Sequence, residues 1–390
     1  MRYLSADIIF PINSEPIKNG VILINDSGEI LELFLNDNHL PPSQIEYFKG
    51  ALCPGFINTH CHLELSHLKN QLKEHTHIDG FVKELQSKRD ATDETIQTAI
   101  ENADLEMIKN GIVAVGDISN GNSTFKTKAK SQIHYHTFIE LFGFNPTQAQ
   151  DVYDRAKLLK EELKELKLNS SIAPHSPYSV SDELFKLIRE GHDYKNPICI
   201  HNQENIDENT FYQTGEGRLA EMLKSFGISL DHWESEYPSS LQGYLKKLPL
   251  DSPILFVHNT FTSKEDLEIA MESFKSSYWC FCPNANQYIE NTLPNIPLFL
   301  EKGAKCTIGT DSLASNYSLS VLDELKVIAT EFPQIDSATL LKWASLNGAE
   351  FLGLSHQLGS FEKGKTPGIN WLKNIDHNHI RLETSIEKII

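Results

Sequence analysis

The chain has 390 residues, enough for one large domain or two ordinary ones. Hydrophobic residues make up 40% and charged residues 23%, and 53 acidic against 35 basic residues leave a net charge of −18. That balance disfavours nucleic acid and anionic membrane surfaces as partners, and no stretch approaches the roughly 20 apolar residues that span a bilayer.

At the start, Asp7 interrupts the apolar run of MRYLSADIIFPIN and no small-residue cleavage site follows, so no signal peptide is expected. Residues 1–50 read as a small β region. Within it, 21–24 and 30–33 flank Asn25-Asp26-Ser27-Gly28, a hairpin turn. From Ala51 onward short β-rich runs alternate with longer segments of helical period. The strands are expected at 51–57, 112–118, 134–141, 170–173, 197–200, 254–257, 278–282 and 304–308. Several are near-continuous apolar runs, as parallel strands covered on both faces require. Helices are expected at 93–109, 151–166, 181–189, 217–226 and 264–274, then at 319–330 and 337–351. Eight strands alternating with helices predict a closed (β/α)8 barrel. Beyond Gly359, the strand-like 369–372 is expected to return to the N-terminal β region.

Six cysteines (Cys53, Cys61, Cys199, Cys280, Cys282 and Cys306) sit mostly in apolar segments. They read as small buried hydrophobes in a reducing compartment, and the expected location is the cytoplasm. Cys280-x-Cys282 is not expected to be a metal pair. Nor are His67, His75 and His77, which lack strand support.

Chemistry gathers at strand ends. Pro54-Gly55-Phe56-Ile57-Asn58-Thr59-His60-Cys61-His62 carries two histidines two positions apart, which share a side of an extended segment. The fifth strand runs into His201-Asn202-Gln203-Glu204, the sixth ends at His258 and the eighth at Asp311, while His175 follows the fourth. In a barrel the carboxyl ends of the strands face the active-site mouth. His60, His62, His201 and Asp311 are therefore the expected ligands of one divalent ion. Three nitrogens and a carboxylate suit zinc, with iron(II) or manganese(II) as alternatives. An open position would hold water, whose pKa a zinc ion lowers to about 7. His258 and Glu204 remain for proton handling.

These motifs, PGFINTHCH, HNQE, LFVHN, CPNANQYI and IGTDSLASNYSLSVLDEL, followed by WASLNGAEFLGL and GSFEKGKTPG, resemble the amidohydrolase superfamily in its mononuclear deaminase branch. The resemblance spans nearly the whole chain. It implies a barrel over 51–356 carrying a small β-sandwich built from 1–50 and 357–390. By analogy, Asp311 and His258 activate water, and Glu204 protonates a ring nitrogen beside the attacked carbon. The same resemblance makes His175 a substrate contact. It also gives Asn284 and Asn286 an orienting or packing role. Glu64, Arg89 and Arg218 are further candidate substrate contacts. No lysine ends the fourth strand, where binuclear members carry a bridging carboxylated lysine.

The implied activity is hydrolytic release of ammonia from an amino-substituted N-heterocycle, an adenine-type nucleoside such as aminofutalosine or S-adenosylhomocysteine/methylthioadenosine. A guanine deaminase, a chlorohydrolase-type member or a non-catalytic barrel homologue are the alternatives. The expected partner is a small-molecule substrate, and the resemblance leaves a homodimer open.

Overall fold

The computed structural model describes residues 1–36, 42–376 and 379–390. The chain opens with β1 (Arg2–Ile9), β2 (Ile17–Lys18), β3 (Val21–Ile24), β4 (Ile30–Phe34) and β5 (Ile45–Pro54). β3 and β4 form the expected antiparallel hairpin. Asn25 Oδ1 accepts from the backbone N–H groups of Ser27 and Glu29, both at 3.0 Å, and Gly28 takes φ +81°. Only a residue without Cβ adopts that left-handed conformation freely.

The stretch expected as one strand, 51–57, is two. Residues up to Pro54 belong with the N-terminal strands, and β6 (Phe56–Cys61) opens a different sheet. Gly55 makes the crossing possible. A Cβ there would lie 2.4 Å from Val113 Cγ1 and 2.8 Å from the Pro367 carbonyl oxygen. There follow β7 (Ile112–Ser119), β8 (His134–Leu141), β9 (Asn169–Pro174), β10 (Ile198–Asn202), β11 (Pro253–His258), β12 (Ser276–Phe281) and β13 (Lys305–Ile308). They form two four-stranded sheets, β6-β7-β8-β9 and β10-β11-β12-β13, with every pairing parallel. Runs such as Ile254–Val257 are wholly buried, which is why these strands are apolar without alternation.

The sheets meet at both seams. At one, the His201 N–H donates to the His175 carbonyl at 2.9 Å. At the other, the N–H groups of Thr310 and Asp311 donate to the His60 carbonyl at 3.0 and 3.1 Å, beside a parallel bridge between Cys61 and Asp311.

Helices connect the strands much as their caps dictate. Thr92, Ser181 and Ser263 each accept from the N–H three residues on, opening Asp93–Lys109, Asp182–Gly191 and Lys264–Ser273. The helix expected over 337–351 is broken into Ser337–Trp343 and Leu346–Phe351. Ser345 lies between them at φ −138°, its hydroxyl donating to the Leu341 carbonyl. The second piece presses Gly348 onto β6, where a Cβ would sit 2.8 Å from Ile57 Cγ2.

β14 (Ile369–Lys373) and β15 (Ser385–Lys388) close the chain. β14 pairs antiparallel with β5, so both termini share a mixed seven-stranded sheet ordered β15-β14-β5-β1-β3-β4, with β2 on β1. Leu4, Ile9, Ile22, Leu52, Phe361 and Ile369 form its own apolar cluster. All six cysteines are free and buried. Cys280 and Cys282 share a face, with sulfurs 4.0 Å apart, and pack on Gly309. Among the described residues, no helix is long and apolar enough to cross a membrane.

Candidate functional site

Where the apolar interiors of β6, β10, β11 and β13 end, buried polar groups begin. His60 lies within β6 and His62 just beyond it, and their Nε2 atoms are 3.1 Å apart. From β10, His201 brings its Nε2 to 3.3 Å from that of His62. Asp311 follows β13 and holds φ +55°, which turns its carboxylate back over the strand ends. Its Oδ1 stands 3.5 Å from His60 Nε2 and 3.4 Å from His62 Nε2. One donor atom from each of the four residues fits within a 4.8 Å cluster.

Burial pushes His60, His62 and His258 well below the ordinary histidine pKa, and His201 below it. These imidazoles are therefore neutral, and each offers one nitrogen lone pair. For His201 the pair is on Nε2, because Nδ1 lies 2.8 Å from the His175 carbonyl and donates to it. Lone pairs that face one another at these distances cannot all be satisfied by shared protons. A cation satisfies them, and three nitrogens with one carboxylate are a set that zinc accepts. Ser315 steadies the carboxylate, its hydroxyl donating to Asp311 Oδ2.

Beside the cluster, Glu204 Oε1 lies 3.6 Å from His258 Nε2. Burial, with Asp311 nearby, holds the Glu204 carboxyl well above its usual range and so favours its protonated form. A small cavity of about 100 Å³ is walled by His62, His175, His201, Glu204, His258 and Asp311. It adjoins a chamber of about 880 Å³, with Val82, Arg89, Phe142, His175 and Tyr178 common to both. The outer part is lined by Phe144, Met222, Phe226 and Ile228.

His175 and Arg89 thus stand at the passage between the two spaces. His175 stacks on His201 at 4.6 Å and meets Phe142 at 4.1 Å. Glu64 is buried behind the wall, where Oε1 receives Arg89 Nη2 at 3.2 Å and Oε2 accepts the Asn120 N–H at 3.0 Å. Arg218 is not brought in. It is turned to Asp207, at 2.6 Å, with its side chain 42% exposed. Asn284 and Asn286 are tied to Glu324 and Thr260. The histidines of the 67–77 loop stay apart: His67 lies against the Arg89 carbonyl, His75 beside Glu74 and His77 against Glu290.

Two features escape the sequence reading. Glu140, near the end of β8, joins the cavity wall, and burial pushes its carboxyl up to about 8. The strand-end rule that singles out Asp311 applies to it equally. Below the site, Lys128 and Asp117 form a fully buried ion pair at 2.5 Å. Lys128 also donates to Ser119 and Thr137, and Asp117 Oδ1 accepts the Leu63 N–H at 2.8 Å, next to His62.

Residues 51–387 match the family model described as the amidohydrolase family. The chain is 28% identical to an adenosine deaminase of Helicobacter pylori over 93% of this chain and 89% of that one. It is similar in structure to the Helicobacter pylori aminofutalosine deaminase in complex with methylthio-coformycin, with a TM-score of 0.82 and 24% identity over 96% and 93% of the two chains. An adenosine deaminase from Xanthomonas campestris with bound zinc gives a TM-score of 0.71 at 18% identity, over 94% and 83%.

Proposed function

The chain belongs to the amidohydrolase family, and on that premise we propose that it is a metal-dependent aminohydrolase of adenine-type nucleosides. Aminofutalosine, S-adenosylhomocysteine and methylthioadenosine are the candidate substrates. The observation that carries the reading is the convergence of three imidazole nitrogens and the Asp311 carboxylate in a cavity that also contains Glu204 and His258. The names of the similar deaminases supply the substrate class.

His60, His62, His201 and Asp311 would hold one divalent ion, with zinc the match to this donor set. When bound, the ion supplies Lewis acidity that makes water a nucleophile at neutral pH. Asp311 and His258 would accept one proton of the attacking water as its oxygen adds to the amino-bearing carbon. Glu204 gives its proton to the neighbouring ring nitrogen and then takes up the remaining hydroxyl proton, while the proton held by Asp311 and His258 passes to the amino group, so that ammonia leaves and a carbonyl stands in its place. Burial of Glu204 favours the protonated form this role needs. His175 and Arg89 face the passage along which the rest of the nucleoside extends.

The same reading covers the architecture. The two parallel sheets, joined at both seams, are one (β/α)8 barrel over 51–356, and the terminal sheet is the small β-sandwich domain of 1–50 and 357–390. We place the protein in the cytoplasm, as free cysteines befit, and include a homodimer in the reading. The test is ammonia release by zinc-loaded protein from adenosine, aminofutalosine, S-adenosylhomocysteine and methylthioadenosine. Release from none of them overturns the assignment.

A further inference from the structure

Glu140 is 5% exposed, and its two carboxylate oxygens have different fates. Oε2 accepts Asn120 Nδ2 at 2.9 Å, and Asn120 is held in turn by Glu64, which also grips Arg89. The carboxylate is thereby fixed in the cavity wall. Oε1 is buried and has no hydrogen-bond partner. His201 Nδ1 lies 3.5 Å from it, but the proton on that nitrogen goes to the His175 carbonyl at 2.8 Å. His175 Nδ1, in the same wall, is also buried without a partner. An acceptor and a ring nitrogen therefore wait side by side, with donor atoms of Glu140, His175 and His201 inside a 4.8 Å cluster.

A second metal ion does not suit this place. The proton on His201 Nδ1 removes that lone pair, which leaves two protein donors where a stable zinc site has three or four. An uncharged group that both donates and accepts suits it well, and a hydroxyl is the simplest such group. Resting on the proposed function, in which the amino group and ring nitrogen of the substrate face the metal ligands and Glu204, the remaining strong donors of an adenine nucleoside are its ribose hydroxyls. We infer that Glu140 is a substrate-binding residue whose free carboxylate oxygen accepts a ribose hydroxyl, so that the site selects ribonucleosides over their dideoxy counterparts.

Calorimetric binding of inosine and 2′,3′-dideoxyinosine to the zinc-loaded protein tests this without turnover. The parent should bind inosine about tenfold or more tightly than the dideoxy compound, as a buried acceptor left without its partner implies. Glu140→Leu, which has no acceptor, should bring the two within about twofold of each other, and Glu140→Asp, which withdraws the carboxyl group, should fall between. Zinc content and melting temperature identify a variant that has lost its fold. A parent that does not discriminate overturns the inference whatever the variants do. Variants that weaken both ligands equally, with discrimination kept, overturn it too, since that is the mark of a merely structural group. Ammonia release from adenosine decides the proposed function separately.

Discussion

Two buried polar clusters lie one beneath the other in this protein, and they solve the same problem in opposite ways. Lys128 and Asp117 are wholly buried, yet each charge meets its opposite, and Ser119, Thr137 and the Leu63 N–H take up the remaining bonds. Above them, His60, His62 and His201 turn nitrogen lone pairs toward one another with a single carboxylate for company. Burying polar groups costs free energy unless they are matched. The lower cluster is matched by the chain itself, and the upper one is complete only with an added cation. Self-sufficiency marks a support, and a shared deficit marks a binding site.

Removing a ligand should break that contrast most strongly. His201→Ala should lower bound zinc from one equivalent to a small fraction of it, read by metal analysis of purified protein, with activity lost alongside. Glu204→Gln should keep the metal and lose about a thousandfold in kcat, the scale of general acid–base catalysis. Full activity in the Gln variant would remove Glu204 from the mechanism.

In the lower cluster the expected loss is of stability. Lys128→Met strands Asp117 and should cost about 3–5 kcal/mol in denaturant unfolding, whereas Lys128→Met with Asp117→Leu should recover much of it. A single variant as stable as the parent would mean that the pair is not the support described. Ser315→Ala leaves the ligands in place but frees the Asp311 carboxylate. Its expected effect is a loss of about tenfold in zinc affinity, measured by competition with a chelator.

A further effect is a pH dependence away from the ion. Burial pushes Glu324 up to about 8 from an ordinary 4.5, against the hydrogen bonds of Asn284 and Asn316. Because the folded-state value is raised, this group's contribution to stability is intact below about 4.5 and is lost as the pH climbs through about 8. The stability of the parent relative to Glu324→Gln should decline across that window, by at most about 1.4 kcal/mol per pH unit. A difference that stays flat from pH 5 to 8 would show that Glu324 holds no proton in the folded chain.

The metal cluster is legible because strand ends write it locally: an apolar run is followed at once by His201, and within three residues by His60 or Asp311. The parallel strands were legible for the same reason, and β7, β8 and the helix Asp93–Lys109 stand where the pattern put them to within a residue. What depends on contact between distant segments was not legible. Gly55 divides an apolar run because Val113 and Pro367 crowd it, and Ser345 breaks a helical pattern because Gly348 must lie on Ile57. Lys128 looks like any solvated lysine until Asp117 meets it. Arg218 had the charge to hold a substrate, and the nearby Asp207 claims it. Glu140 obeys the strand-end rule, yet FIEL reads as a continuation of the strand interior.

The seam between β6 and the residues after β13 has a consequence for how the protein matures. Asn58 and Thr310, hydrogen bonded across it, are 252 positions apart in the chain. The ion's grip is thus shared between the first parallel strand and the last, and such distant pairing is reached late. A nascent chain halted before Asp311 has histidines but no clasp. Cation uptake would then record that the last parallel strand has reached the first, a seal applied at the end and not a seed around which the rest gathers.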